Sequence, residues 1–155
     1  MHPNATVMTT AVLMYLAWVA PLPAHAQDAR ITAASRAPFA KLPEALNGAI
    51  SEEKMGLVCR TNTQRGVAAL DVTIKDNQVM MVLRPDFAVR LLAADPRAGF
   101  EAPVRIYLYE NPDAMVSYLP PSAVFAPYRN PEVQAIGAEL DPIFKAIVDG
   151  ALAVR

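Results

Sequence analysis

Two arginines and a group of tyrosines have the types and spacing to bind a ligand. Arg84-Pro85-Asp86 stands just before an apolar segment of helical periodicity. Arg84 and the free N–H groups of a helix N-terminus can together hold a carboxylate or phosphate. Arg105, Tyr107 and Tyr109 alternate along one strand pattern, and Tyr118 lies on the next. If these four share one sheet face, a cation among phenols lines a polar pocket for a small anionic or aromatic ligand. Each feature also has a plainer reading. Asp86 caps a helix beside a solvated Arg84. The tyrosines pack as amphipathic edges under a helix or partner, with the stem of Arg105 laid along them. Side chains of these types serve capping and packing more often than binding.

Cys59 is the single cysteine. In an exported chain an odd cysteine points to an intermolecular disulfide or a thiolate ligand. Met80, Met81 and Met115 are soft companions for a copper ion. However, Cys59 lies in an apolar strand pattern, where a thiol behaves as a small buried hydrophobe. Asp95, Glu101, Glu110 and Asp113 offer carboxylates for acid–base work. Each sits at a turn or strand end, where an acidic residue has a structural use. No metal site and no cofactor is expected.

The N-terminus excludes further chemistries. Residues 1–26 contain no Asp, Glu, Lys or Arg, and Ala11–Ala20 is an unbroken apolar run. Pro21 and Pro23 end that run, and Ala24-His25-Ala26 supplies the small-x-small pattern of a signal-peptidase site. Ten helical residues rise about 15 Å, half of a bilayer core. A signal peptide over 1–26 and a periplasmic or secreted domain over 27–155 are therefore expected, with no membrane span left after cleavage. An uncleaved anchor is the alternative. Both histidines, His2 and His25, lie in the leader, as does Trp18. The remaining chain has no histidine for a Ser-His-Asp or Cys-His site, a His-ligated zinc or haem, or an imidazole pH switch.

One domain fits the 155 residues, and a 54% hydrophobic share is ample for one core. The net charge of −1 provides no basic face for nucleic acid.

The elements that must position these residues follow from periodicity. Ala29–Ser35 reads as a strand. Pro38–Met55 reads as a helix whose Phe39, Leu42, Leu46 and Ile50 share a face. Gly56 is placed as its left-handed C-cap. Leu57–Thr61, Asp71–Ile74 and Gln78–Leu83 read as strands. Both faces of the last are apolar, as in a strand covered on both sides. Phe87–Ala94 is a helix, and Val104–Tyr109 and Met115–Leu119 form a hairpin. In Pro131–Val154 an apolar stripe runs past Pro142, which implies a kink or two abutting helices, with Asp141 as cap. The order is β-α-β-β-β-α-β-β-α, an α+β domain with an antiparallel-rich sheet and helices packed on it.

Over Leu91–Pro121 the chain resembles the domain of unknown function 302 family. The matching residues are Ala93-Ala94-Asp95-Pro96-Arg97-Ala98-Gly99-Phe100, then Ala102-Pro103-Val104-Arg105-Ile106, Tyr109-Glu110, and Val116-Ser117-Tyr118 before prolines. These motifs are structural punctuation and carry no chemistry. The resemblance implies an α+β domain, a homodimer, and no known activity. Two departures stand out. Leu83-Arg84-Pro85 replaces the family's Gly-Asn-Pro turn, and Ala114 replaces a hairpin glycine. Close backbone approach at that turn is lost, and a cation is gained.

The leading expectation is thus an exported, non-enzymatic module binding a small molecule or an envelope protein. Its candidate ligand residues are Arg84, Asp86, Arg105, Tyr107 and Tyr118. A small enzyme using Arg, Tyr and carboxylate groups is the alternative, and a soft-metal or redox accessory protein using Cys59 and methionines is a second.

Overall fold

The computed structural model describes residues 29–155, so the leader of 1–26 lies outside the described residues. Among the described residues, no helix is long and apolar enough to cross a membrane.

Along the chain come β1 (Ile31–Ala34), α1 (Leu42–Glu52), β2 (Gly56–Asn62), the short α2 (Thr63–Val67) and β3 (Asn77–Leu83). They are followed by α3 (Pro85–Ala94), β4 (Val104–Glu110), β5 (Ala114–Tyr118), α4 (Pro121–Phe125) and α5 (Pro131–Leu152). The strands make one antiparallel sheet in the order β1-β5-β4-β3-β2. This is the expected α+β class.

Side chains alternate across a strand, so register decides which ones meet. One face carries the rows Met80–Ile106–Tyr118 and Leu108–Val116. Against it pack Leu42, Leu46 and Ile50 of α1 and Ile136, Phe144 and Ile147 of α5, all fully buried. Each such side chain contributes roughly 1.5–3 kcal/mol by leaving water. The other face carries Val79–Tyr107–Ser117–Thr32 and Asn77–Tyr109–Met115–Ala34. Most of these side chains remain partly exposed. The expectation that β3 is covered on both sides is therefore corrected. Its Met80 and Val82 are buried, while Val79 and Met81 are only half-buried.

Three further readings change. No strand forms over Asp71–Ile74. A 3₁₀ turn over Ala68–Leu70 ends at Asp71 with φ 53°, and Leu70 and Val72 are exposed. The reason lies in pairing: β2 and β4 already flank β3, so the segment cannot form the expected hairpin with it. The left-handed residue after α1 is Lys54, with φ 57°, and Gly56 has no positive φ. Gly56 opens β2 opposite Leu83, whose carbonyl oxygen lies 3.0 Å from where a Cβ would sit. Finally, α5 runs unbroken through Pro142. Pro142 and Ala138 both face solvent, so the carbonyl freed by the missing N–H is open to water. Buried Leu140 and Phe144 on either side hold the helix together. Asp141 caps no second helix. Its carboxylate accepts the Ser122 N–H of α4 at 2.9 Å.

Candidate functional site

At the α3 N-terminus the candidate arginine is paired with its own neighbour. Arg84 occupies the N-cap position in an extended conformation, with Asp86 in the first helical turn. Arg84 Nε donates to one Asp86 oxygen at 2.7 Å and a terminal nitrogen donates to the other at 3.0 Å. The same guanidinium lies 4.3 Å from the centre of the Phe87 ring. This bidentate bond lifts the Arg84 pKa and holds the Asp86 carboxyl below the usual carboxylate range. Asp86 thus sits where an anion was expected, and it does not cap the helix. Leu83 stands where the family's turn has glycine, and the positive-φ residues among those described are Lys54 and Asp71, so this position needs none of glycine's freedom.

Arg97 and Arg90 are committed in the same way. The Arg97 fork and backbone N–H all donate to Asp95, at 2.8–3.0 Å. Arg90 bridges Glu132 and Glu139, each at 2.7 Å. Asp95 is therefore unavailable as a general acid. Glu110 and Asp113 lie at the hairpin, at the opposite end of β4 from Glu101. Seven strand residues span about 23 Å, so these carboxylates do not pair across the site.

Arg105 and Tyr107 do share the open sheet face, but Tyr118 does not. Tyr118 pairs with Ile106, on the covered face. Its ring stacks 6.3 Å from that of Phe144, and its relative exposure is 4%. Burial raises its phenol pKa, and nearby Asp149 pushes the same way. The expected four-residue face therefore reduces to Arg105, Tyr107 and Tyr109. The last two rings stack at 5.1 Å.

The same open face and the adjacent end of the sheet form a cleft of about 290 Å³. Its polar lining is Arg30, Glu101, Arg105, Tyr107, Ser117 and Tyr118, which borders the cleft although its ring packs on Phe144, and its apolar wall includes Val79, Val104, Leu119 and Val124. Arg30 immediately precedes Ile31, which pairs with Tyr118 on β5, so it flanks the cleft from the sheet edge. Arg105 rises from the central strand β4. Its side chain is 66% exposed, and the Glu101 carboxylate stands off at 3.9 Å. Among the described residues, no hydrogen bond engages the Arg105 or Arg30 guanidinium or the Tyr107 hydroxyl. Ser117 is 3% exposed, and its hydroxyl bonds Thr32 at 2.9 Å.

Arg30 and Ser117 were missed as candidates, and Glu101 had been singled out only as a carboxylate for acid–base work. The available signal was the alternation of Ser117 against Val116 and Tyr118, which already put Ser117 on the other face. Only the register adds that this face belongs to Tyr107.

Cys59 is exposed, contrary to the buried expectation. It lies on the edge strand β2, beside an irregularity in the ladder between Leu57 and Cys59, and pairs with Met81. Met80 faces the core. Met115 pairs with Tyr109, two rows along the sheet from Met81. Two rows are about 13 Å, too far for the methionines to meet Cys59 at one ion. Among the described residues, no cluster of three or more His, Cys, Asp or Glu is placed to hold a metal.

The sequence matches the family described as Domain of unknown function DUF302 over residues 31–151. The fold is similar to the crystal structure of the uncharacterised conserved protein DUF302 from Bacillus stearothermophilus, with a TM-score of 0.73. That likeness covers 79% of this chain and 98% of the other, at 17% sequence identity. No curated protein matches the chain. Because the family match takes in nearly the whole of the described chain, the protein belongs to the DUF302 family.

Proposed function

We propose that this protein is an exported, non-enzymatic binding module of the cell envelope, and that it holds a small anionic or aromatic molecule in the open-face cleft. The observation that carries this reading is the contrast among its arginines. Those around α3 are bound to carboxylates, whereas Arg105 stands at the cleft with its fork untaken, beside Tyr107 and an apolar wall. A concave site with a few convergent polar groups on an apolar lining is the usual form of a ligand pocket. The envelope assignment rests on the charge-free leader of 1–26 and its Ala24-His25-Ala26 motif.

Mass spectrometry of the natively purified protein tests both parts. The chain is expected to begin at Gln27 and to carry a small molecule that denaturation releases. An intact Met1 overturns the export reading. A ligand-free protein in a tight complex with a second polypeptide overturns the small-molecule reading.

A further inference from the structure

Resting on that reading of the cleft, we infer its ligand class: a monoanionic carboxylate with a small apolar body, anchored at Arg105 and Arg30. Charge supplies the first argument. Two arginines and one glutamate line the cleft, so the lining carries one net positive charge. One negative charge balances it, while a phosphate dianion leaves an excess. Glu101 does not satisfy Arg105, because at 3.9 Å it makes no hydrogen bond.

Shape supplies the second argument. A guanidinium is a planar fork that matches a carboxylate with two parallel hydrogen bonds. Arg30 beside β1 and Arg105 on β4 are separated by β5 alone. Two strand spacings amount to about 10 Å, within reach of two long side chains converging on one group. The unengaged Tyr107 hydroxyl adds a donor on the same face.

The apolar wall supplies the third. Val104, Leu119 and Val124 meet at the end of the sheet, and Val79 lies beside Tyr107. A ligand that is charged throughout leaves these side chains without a partner, whereas an aryl or branched alkyl body covers them. The volume of about 290 Å³ lies at the lower end of ordinary ligand pockets, which limits that body to one ring or a short branched chain.

The test compares phenylacetate, its neutral analogue phenylacetamide, and inorganic phosphate by amide chemical-shift titration of the purified protein. Phenylacetate is expected to move the Val79, Tyr107 and Ser117 amides and to bind at least about tenfold more tightly than the amide, the scale of one charge-assisted hydrogen bond. Arg105→Met should weaken phenylacetate by a similar factor, and Arg97→Met, outside the cleft, should not. Equal binding of acid and amide overturns the carboxylate class and leaves the binding reading standing. Phosphate binding as tightly as phenylacetate overturns the apolar body. Unchanged phenylacetate affinity in Arg105→Met overturns the anchor. If no probe moves the cleft at millimolar concentration, the proposed class falls, and the retained-ligand measurement alone decides the broader reading.

Discussion

The two faces of this sheet are built from the same strands, yet they answer to different physics. Toward the helices, Met80, Ile106, Val116 and Tyr118 meet α1 and α5 with almost no exposure. There the side chains are set by volume, and a lost methylene leaves a cavity. Toward solvent, Val79, Arg105, Tyr107 and Ser117 line a cleft instead of a core. There the side chains are set by charge and hydrogen-bonding capacity. Tyr107 and Tyr118 show the difference within one residue type. One is half-exposed and stacked on Tyr109, and the other is buried against Phe144. A tyrosine on a strand is thus a binding candidate only once its face is known.

The arginines divide in the same manner. Arg84, Arg90 and Arg97 hold helices and turns together through short bonds to Asp86, Glu132, Glu139 and Asp95. Arg105 has only the distant Glu101. The arginine beside the α3 N-terminus, read in sequence as one possible anion site, bonds the acidic residue two positions on.

The contrast between faces breaks most directly under truncation. Phe144→Ala on the covered face is expected to cost about 3–5 kcal/mol in urea denaturation. Tyr107→Ala on the open face should cost about 1 kcal/mol, the scale of a cross-strand aromatic pair. Comparable losses at both positions would show that the open face is a packing surface beneath a partner.

A smaller effect is expected at Asp95, which joins α3 to the turn before β4. Asp95→Asn removes the negative charge and one of the two oxygens that accept from the Arg97 fork, and should lower the thermal midpoint by less than Phe144→Ala does. Arg97 holds the Asp95 carboxyl below its ordinary range. The stability from this bond is therefore complete above the unfolded value of about 3.9 and is lost as pH falls through the lower folded value. The gap between wild type and variant should close on acidification through that window. A gap that stays constant with pH would mean the carboxylate charge contributes nothing.

The smallest stability change is expected at Arg105. Arg105→Met should shift unfolding by no more than about 0.5 kcal/mol, as for a surface position away from caps and core. A larger loss would assign Arg105 to the framework of the sheet and remove the basis for reading it as a ligand anchor.

Much of this molecule was legible in its residues because the relevant physics is local. Alternation in Val104–Tyr109 gave the inward and outward sets, and the spacing of Leu42, Leu46 and Ile50 gave the buried stripe of α1. Asp95-Pro96 and Pro120-Pro121 marked the breaks. These features depend on neighbours within a turn or a strand. What the tertiary structure decided depends on pairing between distant segments. The register Ile106↔Tyr118 turned the Tyr118 ring toward the core and put Ser117 on the open face. The edge position of β2 exposed Cys59, and its pairing with β3 kept Asp71–Ile74 from forming a hairpin there. The packing of α4 on α5 drew Asp141 to Ser122 instead of to a helix end. A strand's alternation fixes two sets of side chains. Which set meets solvent follows only from the partner strand's register and the helices that cover one side.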